Sequence, residues 1–104
     1  MALLRSPRRP SAIVASNEAA VMCTFKAAAA LELRIPKDVA VISFADSPLF
    51  TQLAKPCTVV FDHVADLGRI ATEKLLDLLE GREPQPAQQL LPPRLVARES
   101  TVGP

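Results

Sequence analysis

Residues 37–48, KDVAVISFADSP, decide the fold of this chain. Their centre, residues 39–44, is a short and nearly unbroken apolar run that contains β-branched side chains. Such a run is typical of a strand that is buried on both faces, as in a parallel sheet covered by helices. Polar side chains resume at residues 45–48, just past the carboxyl end of the predicted strand. Because ligands of open α/β sheets bind at that edge, we expect the site there.

The segment before this strand predicts a strand–helix–strand unit. Residues 11–15 form another short apolar run, and Asn17 is a favourable N-cap for a helix over residues 18–31. Pro36 prevents that helix from continuing. Residues 11–44 therefore predict a βαβ unit with a right-handed crossover.

The segment after the central strand adds a third strand and a second helix. Residues 57–61 are apolar and β-branched, and residues 63–80 carry one apolar helical stripe that Gly81 ends. Residues 90–93 and 94–98 suit two short extended segments, which their prolines confine to the sheet edge. The expected fold is α/β, a parallel sheet with flanking helices.

Composition excludes several classes of protein. The chain has 104 residues, enough for one small domain or part of a larger one, and its 49% apolar content argues against complete disorder. The net charge of +1 gives no broad electrostatic footprint for nucleic acid or an anionic membrane. Residues 1–10, rich in arginine and proline, predict a disordered or frayed N-terminus. We expect a cytoplasmic protein, since no segment suits a signal peptide or a membrane span.

The sequence offers little for catalysis or metal binding. Its three glycines are not clustered, so a phosphate-binding loop is absent. His63 is the only histidine and is expected to contact solvent at the start of a helix, because no second ligand stands at metal-binding spacing. Cys23 and Cys57 lack CxxC spacing and are expected to be buried free thiols. We expect no enzyme activity, no metal and no cofactor.

Polar side chains follow each of the three predicted parallel strands. Asn17 follows the first, Asp46 the second and Asp62 the third. Because parallel strands end at one edge, these side chains could converge on one polar ligand. Alternatively, Asn17 and Asp62 only cap helices and Asp46 only holds a turn. The spacing leaves both interpretations open, and a capping residue at a cleft can also contact ligand.

The stretch over residues 10–48, RPSAIVASNEAAVMCTFKAAAALELRIPKDVAVISFADSP, resembles the LacI/GalR family of bacterial transcription regulators. The family pattern is R-P-T-A-x-x-A-x-N-D, followed by L-R-V-P-x-D-V-x-V-x-G-F-D-D-S. The resemblance continues through KPCTVVF at residues 55–61 and LPPRLVAREST at residues 91–101. It implies a type I periplasmic-binding-protein fold, in which two α/β subdomains close on a small effector.

By this resemblance the chain is the C-terminal part of an effector-binding and dimerisation domain. Residues 11–60 and 88–100 are expected in its C-terminal subdomain and the helix over residues 63–81 in its N-terminal subdomain. The intact regulator is expected to be a homodimer that binds a sugar-like or other polar metabolite and contacts DNA through a separate N-terminal helix-turn-helix. The alternatives are part of a periplasmic-type solute-binding protein, against which the repressor-like ending LPPRLVARES argues, or a non-functional truncated remnant.

The family's functional positions carry over unevenly. Asn17 matches an asparagine that reaches the ligand, while Asp62 stands in place of a glutamine. Asp46 matches the second aspartate of F-D-D, whereas the first is Ala45 here. The lost carboxylate speaks against ordinary sugar binding. Four apolar residues are expected to be exposed at the family's dimer interface: Met22, Phe25, Phe50 and Leu53.

Overall fold

A computed structural model describes residues 2–61 and 63–102 of the chain. Within these residues, four strands and four α-helices alternate, with one 3-10 turn after the second strand. In chain order the elements are α1 (Ala2–Arg5), β1 (Ala12–Ala15), α2 (Glu18–Ala30), β2 (Ala40–Ser43), the 3-10 turn Pro48–Thr51, β3 (Thr58–Phe61), α3 (Val64–Leu79), β4 (Arg94–Val96) and α4 (Glu99–Val102).

The strands form one sheet in the order β1-β2-β3-β4. The first three strands are parallel, with Ile13 opposite Val41 and Ser43 opposite Val59, and β4 is antiparallel to β3. The predicted parallel sheet with flanking helices is therefore confirmed. Residues 90–93 form no strand, and only Arg94–Val96 joins the sheet, at its edge.

One face of the sheet carries the core. Val41 and Val59 are fully buried together with Val21 of α2 and Phe50 of the 3-10 turn. The opposite face is less covered: Ile42 is half-buried, and its neighbour in register, Val14, is 57% exposed. The expectation that the central strand is buried on both faces is wrong, because α2 packs on one face alone.

A second core cluster lies under α2. It consists of Ala27, Ala28, Val39 and Leu4, which is only 5% exposed. Where the sequence predicted a disordered or frayed terminus, Ala2–Arg5 forms a short helix. The burial of its Leu4 side chain against alanines explains the difference, since apolar burial favours the ordered state.

The chain divides into two compact units, one containing residues 2–61 and 94–102 and the other residues 63–93. We call them the sheet unit and the helical unit. In the helical unit, α3 has no buried residue. Ion pairs form on and just beyond α3, between Arg69 and Glu73 at 3.2 Å and between Arg82 and Asp77 at 2.9 Å. Among residues 63–93 as described, the leucine side chains of α3 are all between 45% and 74% exposed.

His63 stands where α3 begins, in left-handed backbone conformation with φ of 56°. Its side chain is half-buried, and Nε2 lies 3.0 Å from the carbonyl oxygen of Pro92. The expectation of a solvent-contacting histidine is thus only partly correct. Among the residues that the structure describes, no helix is long and apolar enough to cross a membrane.

Candidate ligand-binding site

The carboxyl ends of β1, β2 and β3 meet at one edge of the sheet, because the three strands are parallel. Asn17 follows β1 and Asp46 follows β2, so the main chain of both residues lies past the carboxyl ends of these strands. The Asp46 carboxylate lies near the Cys57 carbonyl that precedes β3, since Arg98 Nη1 donates to both. Asp62, predicted as the third member, lies outside the described residues. The ligand-binding role of all three residues stays a prediction.

Asn17 caps helix α2. Its backbone is extended, and its side-chain Oδ1 accepts a hydrogen bond from the Ala20 amide at 2.9 Å. The residue is exposed, and its Nδ2 group donates to none of the described residues. Capping occupies the acceptor end of the amide and leaves the donor end for a ligand.

Asp46 forms a two-pronged ion pair with Arg98. The Arg98 Nη1 group donates to Oδ1 at 3.0 Å and Nη2 donates to Oδ2 at 3.1 Å. The Ser47 amide also donates to Oδ1, at 2.8 Å. The hydrogen bonds from Arg98 hold the pKa of the Asp46 carboxyl below its usual range, and the carboxylate raises the pKa of Arg98. The sequence around Asp46 gives no sign of this partner, because Arg98 lies 52 residues away.

The backbone of Arg98 is itself held against the sheet. Its amide donates to Thr58 Oγ1 at 2.8 Å, and that hydroxyl donates to the Arg98 carbonyl oxygen at 3.0 Å. Two residues later, the fully buried Ser100 accepts from the Thr58 amide at 2.7 Å and donates to the Val41 carbonyl at 2.6 Å. The segment that begins at Arg98 is thus joined to both β2 and β3.

The turn after β2 is closed by short-range hydrogen bonds. The buried Ser43 hydroxyl donates to the Ala45 carbonyl at 2.6 Å and accepts from the Ala45 amide at 3.1 Å. Ser47 Oγ accepts from the Leu49 amide at 3.2 Å. A hollow of about 330 Å³ lies beside this turn. It is lined by Asp46, Ser47, Pro48, Thr51, Phe61 and Arg98.

The four residues predicted at a dimer interface differ in exposure. Met22 is exposed, whereas Phe25 and Leu53 are half-buried against the core. Phe50 is fully buried, so its expected exposure is wrong. The 3-10 turn that Ser47 caps carries Phe50, and its ring packs among the core residues under the sheet. Leu49, the residue before it, is the exposed apolar side chain of this turn.

The two cysteines also differ. Cys57 is buried as expected, and burial raises the pKa of its thiol. Cys23 is exposed, so its expected burial is wrong, because it lies on the side of α2 that does not contact the core. Within residues 2–61 and 63–102 no group of three or more potential metal ligands occurs.

Residues 1–101 match the family described as periplasmic binding protein-like domain. The chain belongs to this family. It is 35% identical over 103 residues to the probable opine utilization operon repressor of Rhizobium rhizogenes and 31% identical over 98 residues to the ribose operon repressor of Escherichia coli. Among solved structures it resembles a LacI-family transcriptional regulator from Arthrobacter sp. FB24 in complex with lactose, with a TM-score of 0.81 and 33% identity.

These relatives are longer than the chain. The matches cover 98%, 94% and 96% of this chain, but 52% of the Rhizobium repressor, 30% of the ribose operon repressor and 38% of the lactose complex. The predicted resemblance to LacI/GalR regulators is therefore confirmed. The chain corresponds to part of their effector-binding domain.

Proposed function

We propose that the chain forms one wall of the effector cleft of a LacI/GalR-type transcription regulator. The observation that carries the proposal is the placement of Asn17 and Asp46 at the carboxyl edge of the parallel strands. In open α/β sheets this edge is the ligand-binding edge. The names of the relatives, which are operon repressors, support a regulatory role without catalysis.

The ligand is a small polar metabolite that accepts and donates hydrogen bonds. Asn17 offers its amide Nδ2 as a donor, and Asp46 offers Oδ2 as an acceptor beside Arg98. Ala45 contributes no side-chain polar group, so recognition of a vicinal pair of hydroxyls by two adjacent carboxylates is lost at this turn. Asp62 is proposed as a further contact, by its place after β3.

The regulatory mechanism we propose is a shift between cleft conformations. An effector that binds one closure state better than another changes the population of the two states by its difference in affinity. In this proposal the sheet unit belongs to the C-terminal subdomain and the helical unit to the N-terminal one. Dimerisation uses the exposed side of α2 around Met22 together with Leu49.

An NMR titration of the isotope-labelled chain with ribose and with lactose tests the proposal. Because the turn has one carboxylate instead of two, we expect weak binding, seen as amide shifts at residues 17 and 45–47 only at high sugar concentration. Asn17→Ser keeps a cap acceptor but removes the amide donor, and it should weaken binding. Gln52→Ser, which removes an exposed amide next to the 3-10 turn, is the matched control and should bind as the parent does. Shifts that cluster away from the edge, or none with either sugar, would contradict the proposal for these ligands.

A further inference from the structure

We infer that Arg98 is a positioning residue for the ligand-binding edge, and that it acts by holding the Asp46 carboxylate and the turn over residues 45–47. The geometry shows a pair of groups 52 residues apart in sequence that meet at this turn. The effect of Arg98 on ligand affinity rests on the proposed function, whereas its effect on the turn is independent of that proposal.

The hydrogen-bonding capacity of Asp46 is nearly used up. Oδ1 accepts from both the Ser47 amide and Arg98 Nη1, which occupies its two lone pairs. Oδ2 accepts from Arg98 Nη2, which leaves one lone pair. Asp46 can therefore accept at most one hydrogen bond from a ligand, at Oδ2, and the direction of that bond is fixed by Arg98.

Arg98 can set this direction because it is also hydrogen-bonded to residues outside the turn. Nη1 also donates to the Cys57 carbonyl at 3.1 Å, at the start of β3. The main chain of Arg98 is bonded on both sides to the Thr58 hydroxyl. The guanidinium thus connects Cys57, at the amino end of β3, with the turn after β2. A lysine carries the charge but not the planar fork that makes both bonds to the carboxylate.

A second arginine–aspartate ion pair in the chain serves as a control for whether any such pair affects the turn over residues 45–47. Arg34 donates from Nε to Asp38 Oδ2 at 2.8 Å and from Nη2 to Oδ1 at 3.1 Å. This pair belongs to the sheet unit but precedes β2, so it lies away from the carboxyl edge. Arg34→Lys is therefore the control for Arg98→Lys.

The first experiment uses no ligand. Hydrogen exchange of the Ser47 amide, which donates to Asp46, is measured in the full chain and in the variants Arg98→Lys and Asp46→Asn. We expect exchange of Ser47 to accelerate about tenfold in both, because each variant keeps an acceptor for the Ser47 amide but loses one of the two bonds between residues 46 and 98 that hold this acceptor in place. Arg34→Lys should leave Ser47 unchanged. Asp46→Asn retains the main-chain bonds of Arg98, so it reports on the turn even if Arg98→Lys fails to fold. Unchanged Ser47 exchange in Asp46→Asn overturns the inference.

The second experiment adds ribose or lactose. We expect the dissociation constant to rise about tenfold in Arg98→Lys and to stay the same in Arg34→Lys, although both variants keep a cation. A ligand affinity that Arg98→Lys preserves, despite faster Ser47 exchange, overturns the role in binding. If the parent chain binds neither sugar, the proposed function fails for these ligands, while the exchange experiment still decides whether Arg98 positions the turn.

Discussion

The two units of the molecule differ in how far their apolar side chains are buried. In the sheet unit, β2 and β3 bury Val41 and Val59 completely against α2 and the 3-10 turn. In the helical unit, α3 carries five leucines, none of which is buried, and Leu79 is 74% exposed. A strand–helix–strand unit completes a core from residues close in sequence, whereas an amphipathic helix needs an apolar partner surface. The difference predicts that the two units differ in stability.

The largest expected effect is a core substitution in the sheet unit. Phe50→Ala removes a fully buried aromatic side chain and should lower the free energy of unfolding by about 3–5 kcal/mol. Leu75→Ala, at a half-exposed position of α3, should cost less than about 1 kcal/mol. Urea unfolding followed by circular dichroism measures both. Similar losses for the two variants would remove the contrast between the units.

The next effect concerns α3 itself. Because its leucines have no cover within the helical unit, we expect the amides of α3 to exchange much faster than those of β2, with opening free energies that differ by about 2 kcal/mol or more. Native-state hydrogen exchange measures this difference, and binding of a hydrophobic dye should accompany it. Uniformly strong protection over residues 67–79 in a monomer would show that the helix has found a core, against this prediction.

Local sequence signals predicted most of the fold. The ends of α2 and α3 fall within one or two residues of their expected positions, since capping by Asn17 and helical periodicity are properties of neighbouring residues. The one-sided burial of β2 was not predictable, because an apolar run does not reveal whether a second layer covers the sheet. The helix α1 was missed for a related reason: only the packing of Leu4 against α2 orders it.

The candidate site was only partly predictable. The positions of Asn17 and Asp46 at one edge follow from the parallel strand order, which the sequence indicates. The partner of Asp46 does not, since Arg98 is distant in sequence and becomes adjacent only when β4 pairs with β3. The burial of Phe50 escaped prediction because a loop sequence with several apolar residues does not show which side chain faces the core.

The third effect concerns the carboxylate that is missing at position 45, which we expect to limit sugar affinity. In a chimera where residues 11–102 replace the matching segment of the E. coli ribose operon repressor, Ala45→Asp should increase ribose affinity by about 1–3 kcal/mol, the contribution of a hydrogen bond to a charged group. Ala54→Asp, an exposed position of the same unit, is the control and should leave affinity unchanged. Calorimetry on the three chimeras gives the comparison. Equal affinity with and without Asp at position 45 would show that the cleft differs from sugar-binding relatives elsewhere.

The smallest expected effect is a dependence of the sheet unit on acid. Hydrogen bonds from Arg34 lower the pKa of Asp38 to about 2, and those from Arg98 lower the pKa of Asp46. An unfolded aspartate titrates near pH 3.9, so the folded state binds fewer protons than the unfolded state between these values. The stability that Asp38 contributes is present above the unfolded value and is lost as the pH falls toward 2, and the stability that Asp46 contributes is likewise lost as the pH falls below the unfolded value.

The two aspartates can be separated by substitution. Asp46→Asn should reduce the drop of the melting temperature between pH 4 and pH 2, because the amide does not titrate, and Asp38→Asn should reduce it by a similar or smaller amount. The effect of Asp38 is limited by solvent, since Arg34 is exposed and water screens the pair. Asp46 and Arg98 are more shielded, with side chains 28% and 20% exposed, so their pair is screened less. A steeper acid transition in Asp46→Asn than in the parent chain would mean that folding does not lower the pKa of Asp46, contrary to the effect expected from its hydrogen bonds with Arg98.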